Sequence, residues 1–192
     1  MKRRAVFIDR DGTLSEEVGY INHPSRFRLF PFAAEAVRLL NDHHWLAIVV
    51  TNQAGVARGY FSEEMVGEVH ARLKQQIESL GARLDAIYYC AHHPTVGHAP
   101  YRLDCDCRKP KPGLIHCAMK DFDIDLSRSW VIGDRYVDVE LARNAGAHSA
   151  LVMTGYGRGE WEHQRTWWQT EPELVGEDVL AAVKQIIAQP SD

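Results

Sequence analysis

Apolar residues in this chain gather in short runs that stop abruptly, separated by longer stretches with helical spacing. The first run, residues 5–8 (Ala-Val-Phe-Ile), is too short for a buried helix and suits a central parallel strand covered on both faces. Residues 45–50, 84–89, 129–132 and 149–153 repeat the pattern and predict four further strands. Between them, residues 33–42 place Ala36, Leu39 and Leu40 on one helical stripe. A second helix should start after Ser62, an N-cap residue type, and run to Leu80 with Val66, Val69, Leu73 and Ile77 on one face and Gly81 as its stop. Residues 113–121, residues 136–145 before Gly146, and residues 177–188 before Pro190 complete the helices. The alternation predicts an α/β fold, a doubly wound parallel sheet with flanking helices, as one domain spanning residues 1–192.

The polar residues that end the strands carry the chemistry. In an open α/β sheet ligands bind at the carboxyl ends of strands, and there the first strand delivers Asp9 and Asp11, the second Thr51-Asn52-Gln53, and the fourth Gly133-Asp134-Arg135 with Asp138 following. Residues two apart in an extended segment point the same way. Asp9 and Asp11 should therefore share one small volume, where their repulsion calls for a cation or a shared proton. Taken singly, each cluster is equally a solvated cap or a polar turn. The irregular loop of residues 17–24 is expected to overhang the strand ends.

Cys90 and His92, then Cys105 and Cys107, form two ligand pairs separated by 12 residues, a spacing that can close on one tetrahedral ion with every position filled by protein, the structural zinc type. His93 or His98 could replace His92, and Cys117 could make a four-cysteine site, although Cys117 is better read as a buried helix thiol. The metal loop, residues 90–107, runs straight into Arg108, Lys109 and Lys111. Prolines hold these cations extended, so an ordered loop would aim them. The stretch Gly155-Tyr156-Gly157-Arg158-Gly159 fails the G-x-G-x-x-G phosphate cradle and is taken as a mobile loop near the site. Trp161, Trp167 and Trp168 fall in a polar segment whose role the sequence does not reveal.

Composition narrows the class. With 192 residues, 45% hydrophobic and 25% charged, the chain is an ordinary soluble globular domain. A formal charge of −4 offers no basic stripe, which argues against a nucleic-acid partner. The basic start is followed by only four apolar residues, too few for a signal peptide, and no run reaches membrane-spanning length. A cytoplasmic protein with no membrane partner is expected. Three of the four cysteines lie in an 18-residue window with histidines, which suits metal in a reducing compartment better than disulfides.

The run Asp9-Arg10-Asp11-Gly12-Thr13-Leu14 matches D-x-D-G-T-[LV], and Thr51-Asn52-Gln53-Ala54-Gly55, the lysine of Cys107-Arg108-Lys109-Pro110, and Gly133-Asp134-x3-Asp138 follow in order. Together they resemble the haloacid dehalogenase-type (HAD) phosphohydrolases. The resemblance implies Asp9 as nucleophile, Asp11 as general acid and base, Thr51 and Lys109 on the transferred phosphoryl group, and Mg²⁺ held by Asp9, the Asp11 backbone carbonyl and Asp134, with Zn²⁺ in the loop. Intervals of about 40 and 58 residues between motifs leave no room for a cap domain beyond ordinary core elements. Over roughly residues 4–153 the motif set is similar to the D-glycero-D-manno-heptose 1,7-bisphosphate 7-phosphatases, with the histidinol-phosphate phosphatases sharing all of the motifs. This implies a small phosphorylated sugar as substrate, contacted by Gly19, Tyr20, Asn52, Gln53, Arg108 and Arg135, and a monomer working in the cytoplasm toward nucleotide-activated heptose for lipopolysaccharide. Arg135 replaces the lysine of some relatives. The rival from another class is an inactive scaffold used as a binding module, whose mark would be loss of Asp9, Asp11, Lys109 or Asp134; none is lost.

Overall fold

Six parallel strands form one sheet: β1 (Ala5–Ile8), β2 (Leu46–Asn52), β3 (Ala86–Cys90), β4 (Trp130–Gly133), β5 (His148–Val152) and β6 (Leu174–Gly176), in the order β3-β2-β1-β4-β5-β6. The computed structural model describes residues 2–189. β1 is central, and Ile8 registers with Val49 of β2 on one side and Ile132 of β4 on the other. Chain order therefore reverses between β1 and β4. In a doubly wound sheet this is where a crevice opens beyond the strand ends.

Both faces of the sheet are covered, as the unbroken apolar runs require. Val6 and Ile8 of β1 and Ala47 and Val49 of β2 face one way, into a core with helices α1 (Ala33–Asp42), α2 (Glu63–Ser79) and α6 (Val179–Ile187). Ala5, Phe7, Leu46, Ile48 and Val50 face the other way, against α3 (Gly113–Asp121) and α4 (Tyr136–Ala145). Phe7 is fully buried. Truncating it to alanine should cost about 3–5 kcal/mol, because close-packed cores collapse only partly around a lost ring.

The helix boundaries follow their caps. Ser62 Oγ accepts from Met65 N at 3.4 Å to start α2, and Gly146 ends α4 in the left-handed region at φ 75°. The last helix starts two residues later than its pattern predicted because Asp178 is the N-cap, accepting from Ala181 N at 2.8 Å. Between β1 and β2 lie only a short 3₁₀ turn and α1, and between β2 and Lys109 only α2, β3 and the metal loop. Among the described residues no cap domain is inserted.

Two expectations fail. Residues 155–159 are not a loop throughout: helix α5 (Gly157–His163) begins inside them, and a Cβ on Gly157 would stand 1.8 Å from the Val152 carbonyl oxygen. The glycine there permits close packing rather than mobility. Cys117 is exposed, because α3 buries Leu114, Ile115 and Ala118 and turns residue 117 outward. Strand β6 was not predicted; three residues are too few to carry a period.

Candidate active site

The site lies where β1 and β4 end side by side. Asp9 N donates to Ile132 O at 2.9 Å, which carries the pairing one residue past β1 and holds Asp9 next to the Gly133-Asp134 turn. The two turns approach so closely that glycine is required. Gly12 has φ +82°, and a Cβ there would stand 2.1 Å from Asp134 Oδ2; at Gly133 it would stand 2.2 Å from the Asp138 carboxylate.

Two carboxylates meet one ammonium group, and a third stands beside them. Lys109, only 4% exposed, places Nζ 2.8 Å from Asp9 Oδ1 and 2.6 Å from Asp138 Oδ1. Oxygens of Asp9, Asp134 and Asp138 lie within 4.8 Å of one another. Asp134 Oδ2 accepts from Tyr156 N at 2.8 Å, but Asp134 Oδ1 and Asp138 Oδ2 are buried with no hydrogen-bond partner among the described residues. Burial, with Asp9 and Asp138 adjacent, pushes the Asp134 carboxyl well above the usual range. Burial also raises Asp138 to about 6, against the pull of Lys109 and with the push of Asp9. Lys109 is itself held above its ordinary value: burial acts to lower it, and Asp138 and Asp9 outweigh burial. Two orphaned carboxylate oxygens and a surplus of negative charge are what a hard divalent cation neutralises, and an all-oxygen set suits Mg²⁺.

Asp11 lines the same cavity as Asp9 but is balanced by a different cation. Arg10, 1% exposed, grips it bidentately, Nε to Oδ1 at 2.9 Å and Nη2 to Oδ2 at 2.7 Å, and Gln53 Nε2 adds a bond to Oδ2 at 2.9 Å. Burial acts to raise the Asp11 carboxyl, but Arg10 and Gln53 outweigh it and hold it below the usual range. Arg10 Nη1 in turn lies 3.0 Å from His70 Nε2. Arginine has no acceptor, so that nitrogen accepts and His70 is neutral; burial and Arg10 push its pKa down to about 3. The expected repulsion between Asp9 and Asp11 is thus relieved by Lys109 on one and Arg10 on the other.

Thr51, Asn52 and Gln53 at the second strand end line the same cavity and also hold its other members in place. Thr51 Oγ1 accepts from Gln53 Nε2 at 3.0 Å. Asn52 commits both ends of its amide to the Lys109 backbone, donating to its carbonyl at 3.2 Å and accepting from its N–H at 3.1 Å. This bracket fixes where the lysine leaves the loop.

Around these groups a cavity of about 240 Å³ opens, lined at its margins by Glu17, Gly19 and Tyr20 of the loop after β1, by Arg108 and Arg135, and by Tyr156. Arg108 is tethered to the metal loop through Nη1 to His92 O at 3.2 Å. Lys111 pairs instead with Asp104 at 2.6 Å on the surface.

Cys90, His92, Cys105 and Cys107 are drawn together as their spacing predicted. Sulfur–sulfur distances are 3.1, 3.2 and 3.5 Å, and His92 Nδ1 lies 3.5 and 3.9 Å from Cys107 and Cys90. A zinc tetrahedron with the usual bond lengths has edges of about 3.8 Å between sulfurs and about 3.5 Å from sulfur to nitrogen; these sulfurs stand somewhat closer than that, in a set that could close on one ion. His93, His98 and Cys117 stand outside it.

Sequence reasoning left three contributors without a role. Asp138 sits in the fourth motif, four residues beyond Asp134 on the first turn of α4, and that spacing was its only signal. Arg10 lies inside the first motif, but its partner His70 comes from 60 residues away. Glu160, 6% exposed, accepts from Arg135 Nε at 2.8 Å and from Tyr136 N at 2.7 Å, and nothing in its neighbourhood in the chain marks it.

The chain is similar to known proteins along most of its length. The HAD-hydrolase-like family matches residues 106–182. The chain is 43% identical to a D-glycero-D-manno-heptose-1,7-bisphosphate 7-phosphatase of Thermosynechococcus vestitus, over 97% of this chain and 96% of that protein. The chain belongs to this phosphatase family. A Haemophilus ducreyi member is 41% identical over 81% of the chain and 86% of its own length. The crystal structure of a D,D-heptose 1,7-bisphosphate phosphatase from B. bronchiseptica, complexed with magnesium and phosphate, superposes with a TM-score of 0.84 at 28% identity and covers 96% of this chain and 98% of that one.

Proposed function

We propose that this chain removes the C7 phosphate of D-glycero-D-manno-heptose 1,7-bisphosphate through an aspartyl-phosphate on Asp9. The observation that carries the reading is the cavity itself. It has a carboxylate, Asp9, paired to a buried lysine at the sheet end, and two arginines at its margin, an arrangement suited to one reacting phosphate and a second phosphate beyond it. A sugar monophosphate would need only the first half. The relatives named above support the choice of heptose bisphosphate over histidinol phosphate, which carries no second anion.

In this reading Lys109 Nζ, already on Asp9 Oδ1, binds an oxygen of the incoming phosphoryl group and leaves Asp9 Oδ2 free to attack phosphorus. The Oδ2–P bond forms as the P–O7 bond breaks, and Asp11 gives its proton to the departing alkoxide. A phosphate dianion beside Asp11 offsets Arg10 and raises its proton affinity, so the acid form is available when needed. Asp11 then takes a proton from water as the water oxygen attacks phosphorus, which releases phosphate and restores Asp9. Thr51 orients the phosphoryl group, Gln53 steadies Asp11, and Asn52 acts through the Lys109 backbone. Mg²⁺ held by Asp9, Asp134 and the Asp11 carbonyl would supply charge neutralisation at the phosphoryl oxygens. Arg108 and Arg135 contact the C1 phosphate, and Gly19 and Tyr20 the sugar.

Zn²⁺ at Cys90, His92, Cys105 and Cys107 would be structural, since four protein ligands leave no position for water; it orders the segment that carries Arg108 and Lys109. The expected setting is the cytoplasmic formation of nucleotide-activated heptose for lipopolysaccharide, as the family resemblance implies; among the described residues no helix is long and apolar enough to cross a membrane. The test is phosphate release from heptose 1,7-bisphosphate, histidinol phosphate and simple sugar phosphates, with and without Mg²⁺, and product identification by phosphorus NMR. Mg²⁺-dependent turnover that leaves the 1-phosphate intact is expected. Preference for histidinol phosphate, or loss of the 1-phosphate, would overturn the reading.

A further inference from the structure

The segment that follows β5 gains a purpose from where its side chains fall. Arg135 leaves the fourth motif half exposed at the cavity margin, where a long side chain would ordinarily sample many rotamers. Here it is held from two directions. Glu160 of α5, almost wholly buried, takes the Arg135 Nε hydrogen bond at 2.8 Å, and the Tyr156 ring lies under the guanidinium carbon at 4.9 Å. The second Glu160 oxygen accepts from Tyr136 N at 2.7 Å and so secures the backbone that follows Arg135. Among the described residues the Nη groups of Arg135 have no other hydrogen-bond partner, which leaves the fork available to a ligand.

Two of the segment's three tryptophans, Trp161 and Trp168, brace the same point. Trp168 stacks on Tyr136 with ring centroids 4.7 Å apart, Trp161 packs its edge on Trp168 at 6.0 Å, and Gln169 N donates to the Tyr136 hydroxyl at 2.9 Å. Residues 156–169 thus form a buttress behind Arg135.

A carboxylate beside an anion-binding arginine is a cost if only charge matters, because it cancels the attraction for phosphate. Its place makes sense if direction matters more: by occupying Nε, Glu160 leaves the two Nη groups facing outward as a pair that can meet a phosphate bidentately. We infer that Glu160 is a positioning residue for substrate specificity, presenting the Arg135 fork to the non-reacting phosphate of a bisphosphate substrate. The inference rests on the reading of Arg135 as a contact to that phosphate.

The two views predict opposite signs, which makes the test direct. Wild type, Glu160→Gln, Glu160→Ala, Arg135→Ala and the Arg135→Ala/Glu160→Ala double variant are assayed with heptose 1,7-bisphosphate and with para-nitrophenyl phosphate. Glu160→Ala should lower kcat/KM for the bisphosphate roughly 10- to 100-fold, mainly through KM, with the aryl phosphate within about twofold. Glu160→Gln, which can accept from only one of the two donors, should fall between. The double variant should be no worse than Arg135→Ala, since Glu160 would act only through that side chain. Thermal melts accompany each variant, and if Glu160→Ala is unfolded the isosteric Glu160→Gln carries the test. Tighter bisphosphate binding in Glu160→Gln, equal losses on both substrates, or additive losses in the double variant would overturn the inference. If Arg135→Ala leaves the ratio of the two kcat/KM values unchanged, it is the assignment of Arg135 to the substrate that fails, and the inference falls with it.

Discussion

Replacing Asp138 by asparagine tests how the carboxylate trio is balanced. Asp138 is buried and its pKa is about 6 in the folded protein, against an ordinary 3.8. Between those values the folded state binds one more proton than the unfolded chain, so this group's contribution to stability falls as pH rises, at about 1.4 kcal/mol per pH unit. The full difference is on the order of a few kcal/mol, and part of it falls between pH 5 and pH 7.5. His70 works against this in wild type. Its pKa is lowered to about 3, so its contribution grows as pH rises toward the unfolded value of 6.5, and the raw stability profile would hide both effects. The asparagine variant keeps His70, so the difference between the two proteins removes that contribution and reports Asp138 together with the Asp134 carboxyl that it helps to push up. Asparagine can still accept from Lys109 through its amide oxygen. Urea unfolding of both proteins, zinc-replete and free of Mg²⁺, should show the variant gaining on wild type from pH 5 to pH 7.5, by on the order of 1 kcal/mol. Added Mg²⁺ should remove most of that gain, because a cation stabilises the ionised trio. A difference that does not change with pH, or one that favours wild type as pH rises, would refute this account of the site's electrostatics.

Asp9→Asn should abolish turnover without unfolding the chain, because the amide is nearly isosteric but cannot form the acyl phosphate; more than a few per cent of wild-type kcat would remove Asp9 as nucleophile. Elemental analysis should find about one zinc per chain, and Cys107→Ser should lower thermal stability and activity together, since Arg108 and Lys109 hang from the loop that the metal closes. Full activity of zinc-free protein on added Mg²⁺ would show that the loop does not position them. Arg108→Ala should reduce kcat/KM for heptose 1,7-bisphosphate by roughly 10- to 100-fold, about 1.4–2.7 kcal/mol, and affect a small aryl phosphate much less. Equal losses on both would assign Arg108 to the transferred phosphoryl group.

Most of the architecture is local in origin and so could be read along the chain. Two-sided burial writes unbroken apolar runs, as at Ala5–Ile8, and caps such as Ser62 and Gly146 mark helix ends within a few residues. That Cys90, His92, Cys105 and Cys107 gather was legible because they come in two close pairs. The short strand β6 and helix α5 were not: three residues show no period, and the glycines around Tyr156 suggest a loop until Val152 is seen packed against Gly157. The pairing of charges also needed the tertiary structure. Asp9 and Asp11 look like mutual partners at a spacing of two, yet folding brings Lys109 to one, and to the other Arg10 braced by His70 from α2. Asp138 and Lys109 are 29 residues apart, and Glu160 and Arg135 are 25 apart. Which cation neutralises which carboxylate is a matter of a few ångströms across a dry site. Patterns along a chain record which faces are buried, while Coulomb energies in low dielectric depend on distances that only packing sets.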